Sequence, residues 1–159
     1  MKFLELNNII KTNILFSRLQ AFDSRRTLEI EVYSCKQTKE QKKHKNIQKP
    51  LRFYVSALDL AFPDHDFSNE SMNSFDNISI ETLKAELSFV FFTMYKNNED
   101  VAELIQYLNI LLDQCVDIHN SVFYMFNKPI LSDPIYNNVF LIHDNKKKRV
   151  VIIKLIQNQ

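Results

Sequence analysis

Apolar residues recur at helical spacing in several stretches of the chain. The strongest stripe covers residues 79–95, where Ser79 is placed to cap the first turn. The same spacing predicts helices over residues 99–113 and 50–62, and the latter begins with a proline suited to a first turn. A shorter helix is predicted over residues 2–10. We expect the apolar stripes of these helices to form a core.

Alternating apolar and polar residues predict β-strands between and after the helices. Residues 27–35 alternate clearly, which is typical of a half-buried strand. Residues 14–22 suit either period and are interpreted as a strand, whereas residues 69–78 are polar and predict a loop. Residues 116–126 are dense in strand-forming side chains and predict strand structure broken near its middle.

Two nearly continuous apolar runs, residues 139–143 and 150–156, flank a polar turn and predict a β-hairpin. Because the runs do not alternate, both strands should be central and covered on both faces. Asp144-Asn145 is expected to supply the positive φ of the turn, since glycine is absent from the chain. The turn also carries a concentrated positive charge, supplied by Lys146, Lys147, Lys148 and Arg149. This charge suits edge protection or docking on an acidic surface.

These elements predict an α+β fold, with a mixed, largely antiparallel β-sheet flanked by α-helices in a single globular domain, residues 1–159. Residues 1–35 supply an N-terminal helix and strands, and residues 50–159 supply helices followed by C-terminal strands. Residues 36–49, with six lysines and one glutamate, predict a basic linker between them. Contact with an acidic partner and nuclear import are the alternatives for this tract.

Composition excludes several classes of site. Without glycine, the chain cannot form a phosphate-binding loop, a dinucleotide fingerprint or a Gly-x-Ser-x-Gly nucleophile elbow. Cys35 and Cys115 suit free thiols in a reducing compartment, and the four histidines do not lie at zinc-ligand spacing. Twenty basic and nineteen acidic residues give a net charge of +1, which favours neither nucleic acid nor membrane. We expect an intracellular soluble protein.

One stretch gathers two carboxylates and a histidine, Pro63-Asp64-His65-Asp66-Phe67-Ser68. A metal or acid–base site is one interpretation. The other is a turn that ends the preceding helix, because proline stops a helix and Asp and Ser side chains accept hydrogen bonds from nearby amides. No nucleophile, base and orienting group can be assembled around it, so the sequence predicts neither an enzyme nor a metal or cofactor site.

This hexapeptide is similar to the Pro-Asp-Tyr-Asp-Phe-Ser signature of the Maf-one family, repressors of RNA polymerase III. Three further segments resemble the family in the same order along the chain. They are the start Met1-Lys2-Phe3-Leu4-Glu5, the strand end Tyr33-Ser34-Cys35-Lys36 and the basic hairpin Asn145-Lys146-Lys147-Lys148-Arg149-Val150-Val151. The chain departs from the family pattern in a shortened insertion over residues 36–49, in His65, and in Ile105 and Asn138 or Val139 where tryptophans are typical.

The resemblance implies a monomer without cofactors that docks on the clamp region of RNA polymerase III and blocks assembly with TFIIIB. It implies partner contacts through Asp64 and the basic hairpin turn, Lys146 to Arg149, without sequence-specific nucleic-acid binding. It also implies a location in nucleus and cytoplasm. Pro63, Asp66, Phe67, Ser68, Tyr33, Ser34 and Cys35 are then structural signatures. A small ligand-sensing module and an interaction module without polymerase binding remain the alternatives.

Overall fold

The computed structural model describes residues 1–20, 25–35, 49–94, 98–130, 132, 134 and 136–158. These residues form four helices and six strands, and two 3₁₀ turns, Met72–Ser74 and Ile118–Asn120, precede strands. The helices are α1 (Asn7–Gln20), α2 (Lys49–Ala61), α3 (Ile80–Met94) and α4 (Asn98–Cys115). The strands are β1 (Lys2–Phe3), β2 (Arg26–Ser34), β3 (Phe75–Ile78), β4 (Ser121–Phe126), β5 (Tyr136–Asp144) and β6 (Arg149–Gln157).

The six strands form one sheet in the order β1-β2-β6-β5-β4-β3. Every pairing among the described strands is antiparallel, so the predicted α+β class is confirmed with no parallel component in these residues. The predicted hairpin is β5 and β6, joined through residues 145–148. Strand β6 lies between β2 and β5, and residues 150–157 are all buried, as its continuous apolar run predicts.

Helices cover both faces of the sheet. Successive residues of a strand point to opposite faces, so an apolar run such as β6 must be covered on both sides. Helices α1, α3 and α4 pack on one face, where Phe16 and Phe91 stack with ring centroids 5.9 Å apart. Among the described helices, α2 is the one that packs on the other face, where it buries Tyr54 and Leu58. The hexapeptide lies at the end of α2 and therefore on this second face.

The N-terminal region differs from the sequence-based expectation. The predicted helix over residues 2–10 is instead strand β1 followed by the start of α1, and the strand interpretation of residues 14–22 is wrong where the structure describes them. The side chain of Asn13 explains the position of α1. It donates to the carbonyl of Ile30 at 2.8 Å and accepts from the amide of Ile30 at 2.9 Å. These two bonds satisfy backbone groups of β2 that have no strand partner.

Three further expectations need correction. Residues 69–78 are not a loop throughout, since they contain a 3₁₀ turn and strand β3. Strand β2 is half-buried as predicted up to Glu31, whereas its end is covered on both faces, because Val32 and Tyr33 are buried against opposite layers. In the hairpin turn, the residue with positive φ is Lys148 at 54°, in place of Asp144-Asn145. The predicted linker falls outside the described residues over positions 36–48.

Candidate partner-binding surfaces

The hexapeptide forms an irregular loop that leaves α2 and returns to the core. Phe62 still donates its amide to the carbonyl of Leu58 at 2.8 Å, and Pro63 then ends the helical hydrogen bonding. Phe67 is 3% exposed and packs edge-on against Phe126, with ring centroids 5.8 Å apart. It anchors the loop to the core.

The two aspartates of the hexapeptide have different surroundings. Asp66 Oδ1 accepts a 2.9 Å hydrogen bond from the amide of Ser68, and this bond lowers the pKa of the Asp66 carboxyl. Asp64 is exposed and has no hydrogen-bond or ion-pair partner among the described residues. The geometry therefore assigns Asp66 a turn-forming role and leaves the Asp64 carboxylate available to a partner.

Beneath the loop lies a buried ion cluster that the sequence analysis missed. Lys154 is 4% exposed in the second half of β6, and its ammonium lies 3.1 Å from a carboxylate oxygen of Glu29 and 3.1 Å from one of Glu31. Its third hydrogen bond, at 2.8 Å, goes to the carbonyl of Ala61, and the ammonium lies 4.9 Å from the ring centroid of Phe62. A lone lysine inside an apolar strand run is the signal that could have identified it.

Tyr33 joins this cluster from β2. Its hydroxyl donates to Glu31 at 2.5 Å, and burial together with this hydrogen bond raises the pKa of the Tyr33 phenol well above its usual value. Tyr33 thus gives the Glu31 carboxylate a second hydrogen-bond partner, because the ammonium of Lys154 is shared between Glu31 and Glu29.

At the opposite end of β6, the basic hairpin turn packs against the end of helix α4. Lys147 Nζ donates to the carbonyl of Gln114 at 3.1 Å, and Arg149 Nη1 donates to that of Cys115 at 3.1 Å. The last carbonyls of a helix lack partners within the helix and carry partial negative charge, so cations are favourable there. Two of the four predicted docking cations therefore also have a structural role.

Asp144 holds the hairpin turn in place. Its carboxylate is fully buried and accepts from the amide of Lys147 at 2.8 Å and from that of Asp117 at 2.6 Å. Lys146 forms an ion pair of 3.2 Å with Asp117 while 70% of its own side chain remains exposed, so this pair contributes little to stability. The ammonium groups of Lys146 and Lys148 consequently project from a turn of fixed geometry.

The strand-end signature lies beside this turn. Ser34 pairs with Arg149 across the β2–β6 ladder, and the amide of Cys35 donates to the carbonyl of Lys148 at 2.9 Å. Burial is the main cause that raises the pKa of the Cys35 thiol, to about 11, so the thiol stays protonated at neutral pH. Tertiary structure thus brings two segments together that are more than a hundred residues apart in sequence.

The two predicted partner-binding elements do not form one patch. The hexapeptide loop lies near Lys154 and Ile156, at the far end of the strand that starts with Arg149. Seven residues of extended strand separate the ends by about 23 Å. A partner that used both Asp64 and the basic turn would have to span the full length of the sheet. Antiparallel pairing produces this separation, which neither motif reveals.

A buried tyrosine–histidine pair was also missed by the sequence analysis. The hydroxyl of Tyr54 in α2 lies 2.9 Å from Nδ1 of His143 in β5, and burial lowers the pKa of this imidazole.

Among the described residues, no three His, Cys, Asp or Glu side chains are grouped to hold a metal ion. None of the described helices has the length and apolarity needed to cross a membrane.

The sheet order and the described helices on its two faces define an α+β protein with the fold of citrus MAF1. Two crystal structures of citrus MAF1 are similar to this chain. One has a TM-score of 0.72 and 26% identity, covering 95% of this chain and 99% of the other. The second has a TM-score of 0.68 and 23% identity, covering 91% and 98%.

The chain is related to the Maf-one family, as the four sequence signatures indicate and the similarity to citrus MAF1 supports. It also belongs to one family with two uncharacterised proteins of Encephalitozoon cuniculi. Each is 33% identical to it over 161 residues, covering 100% of this chain and 99% of the relative. No family model matches the chain.

Proposed function

We propose that this protein represses transcription by RNA polymerase III without catalysing a reaction. In this proposal it docks on the clamp region of the polymerase and blocks assembly of the initiation complex with TFIIIB. The observation that carries the proposal is the similarity to citrus MAF1 over 95% of this chain and 99% of the other, at 26% identity. The ordered sequence signatures of the repressor family support it. A repressor of this kind would be found in the nucleus and the cytoplasm.

The geometry supports an action by steric exclusion. A six-stranded sheet covered on both faces is a rigid body, and it carries charged groups of opposite sign at its two ends. The basic end presents Lys146 and Lys148 on a turn fixed by Asp144, and the acidic end presents Asp64. Fixed charges on a rigid body favour orientation and rapid association with a complementary surface. A docked body of this kind can cover a neighbouring binding surface without further chemistry.

Purified protein tests this proposal in a transcription assay with RNA polymerase III, TFIIIB and a tRNA-gene template. Addition of the protein before the initiation complex assembles should abolish specific initiation, while polymerase already elongating should continue. No inhibition at saturating protein would refute the proposal. Lys148→Glu should weaken the inhibition, and Lys11→Glu is the matched control because Lys11 is an exposed cation on α1, outside the basic turn and the hexapeptide.

A further inference from the structure

A cavity of about 240 Å³ lies between the hexapeptide loop and the end of the sheet formed by β2 and β6. Its apolar walls come from Ala61 and Phe62 at the end of α2, Ile156 of β6 and Ile130 of the segment after β4. Its polar lining includes Asp64 and His65 on the loop. The cavity therefore combines an apolar wall with an exposed carboxylate and an imidazole.

The cavity is not suited to an anion, although a lysine lines it. An ammonium group has three N–H donors. Those of Lys154 are directed to Glu29, Glu31 and the carbonyl of Ala61, so the buried cation has no donor left for a ligand. Its positive charge is also outweighed by the two glutamates.

The unsatisfied charge at the cavity is negative. The Asp64 carboxylate has no partner among the described residues, and the neighbouring loop and helix end carry two further exposed carboxylates, Asp66 and Asp59. Asp59 lies close enough to Asp66 for that charge to add to burial in raising the pKa of its carboxyl. This surface is therefore complementary to a cation.

We propose that this cavity binds an arginine side chain of a partner protein. The aliphatic stem would lie on Ile130 and Ile156, and the guanidinium would reach the Asp64 carboxylate and stack on the His65 ring. Arginine suits the site better than lysine because its planar, weakly hydrated head pairs with a carboxylate through two hydrogen bonds and stacks on rings. The inference rests on the proposed function only in taking the partner to be RNA polymerase III.

Two blocked tripeptides test the inference with the full chain. Ac-Ala-Arg-Ala-NH₂ is compared with Ac-Ala-citrulline-Ala-NH₂, which keeps the shape of arginine and removes its charge. In two-dimensional amide NMR spectra, the arginine peptide should shift the signals of Thr27, Asp64, Ile130 and Ile156. It should bind up to about fivefold more tightly than the citrulline peptide, as for an exposed ion pair. Equal binding of the two peptides, or no shift at these residues, would overturn the inference.

A variant pair locates the charge that is recognised. Asp64→Asn should remove the preference for arginine over citrulline without changing the fold, since Asp64 has no described partner. Glu103 is an exposed carboxylate on α4, across the sheet, and Glu103→Gln should keep the full preference for arginine over citrulline. A preference that survives in Asp64→Asn would also overturn the inference.

The peptide titration and the transcription assay separate this inference from the proposed function. If the arginine peptide fails to bind while the protein inhibits polymerase III, the cavity inference is wrong and the proposed function stands. If the peptide binds as expected while initiation is unaffected, the cavity recognises arginine in a different partner and the polymerase proposal is wrong.

Discussion

The ammonium of Lys154 donates a 2.8 Å hydrogen bond to the main-chain carbonyl of Ala61, the last residue of α2. That carbonyl belongs to the last turn of a helix, where intrahelical partners are missing. The bond thus ties the end of α2, and the hexapeptide that follows it, to the central strand of the sheet. Glu29 and Glu31 hold the ammonium from the other side. The position of the signature loop therefore depends on residues outside the signature.

Lys154→Met should lower the free energy of unfolding by about 3 kcal/mol, because removing one member of a buried ion cluster leaves unpaired charge behind. The side chain of Glu31 is only 15% exposed and cannot regain full hydration, whereas that of Glu29 is 43% exposed and can. Urea denaturation followed by circular dichroism measures the loss.

The double variant Lys154→Met with Glu31→Gln is the control for this prediction. It removes the buried carboxylate charge and keeps an acceptor for Tyr33, so it should be more stable than Lys154→Met alone. A loss below about 1 kcal/mol in Lys154→Met would contradict the role assigned to the cluster.

Asp66→Ala should lower the melting temperature, since the amide of Ser68 would lose its 2.9 Å hydrogen bond within the loop. Asp66→Asn retains a side-chain oxygen at the same position and should restore most of the loss. Repression should weaken only in proportion to stability. Thermal melts and the transcription assay, run on both variants, check this. Loss of polymerase binding at unchanged melting temperature would show that Asp66 is itself a contact.

Two substitutions separate docking from folding in the basic turn. Lys148→Gly should raise the free energy of unfolding by up to about 1 kcal/mol, because glycine tolerates a φ of 54° that is unfavourable for lysine. It should still weaken polymerase binding, because an exposed cation is lost. Arg149→Gln should reduce stability, since Arg149 donates to the helix carbonyl of Cys115. Denaturation and binding measured on the same samples distinguish the roles. Full polymerase affinity in Lys148→Gly would exclude Lys148 from the docking surface.

Stability should decrease as the pH falls below about 6.5, the usual pKa of histidine in an unfolded chain. Burial holds the pKa of His143 below that value, so the folded state resists the proton that the unfolded state accepts. The contribution of neutral His143 to stability is fully present above the pKa of the unfolded state. It is lost as the pH falls towards the lower pKa of the folded state. Urea midpoints at several pH values between 7 and 5 measure it. In His143→Gln this part of the decline should be absent, and an identical profile in both proteins would exclude His143 as its source.

The elements that the sequence predicts well are those whose own pattern is long and regular. Helices α2, α3 and α4 and the β5–β6 hairpin follow from stripes or runs that continue over many residues. Helix α1 does not, because its 14–20 segment suits either period. Its Asn13 is fixed by a contact with Ile30 that only the folded chain contains. Strand β3 is similar, since a four-residue edge strand is defined mainly by its pairing with β4.

The candidate site divides in the same way. The sequence by itself determined the Maf-one signatures, the turn chemistry of Asp66, the anchoring ring of Phe67 and the charge of the hairpin turn, because each depends on residue type and short spacing. Only the tertiary structure decided that Asp64 and the basic turn lie at opposite ends of the sheet, that Lys147 and Arg149 meet the end of α4, and that Lys154 holds the end of α2. Those relations depend on strand order and register, which join residues far apart in the chain and leave no local pattern.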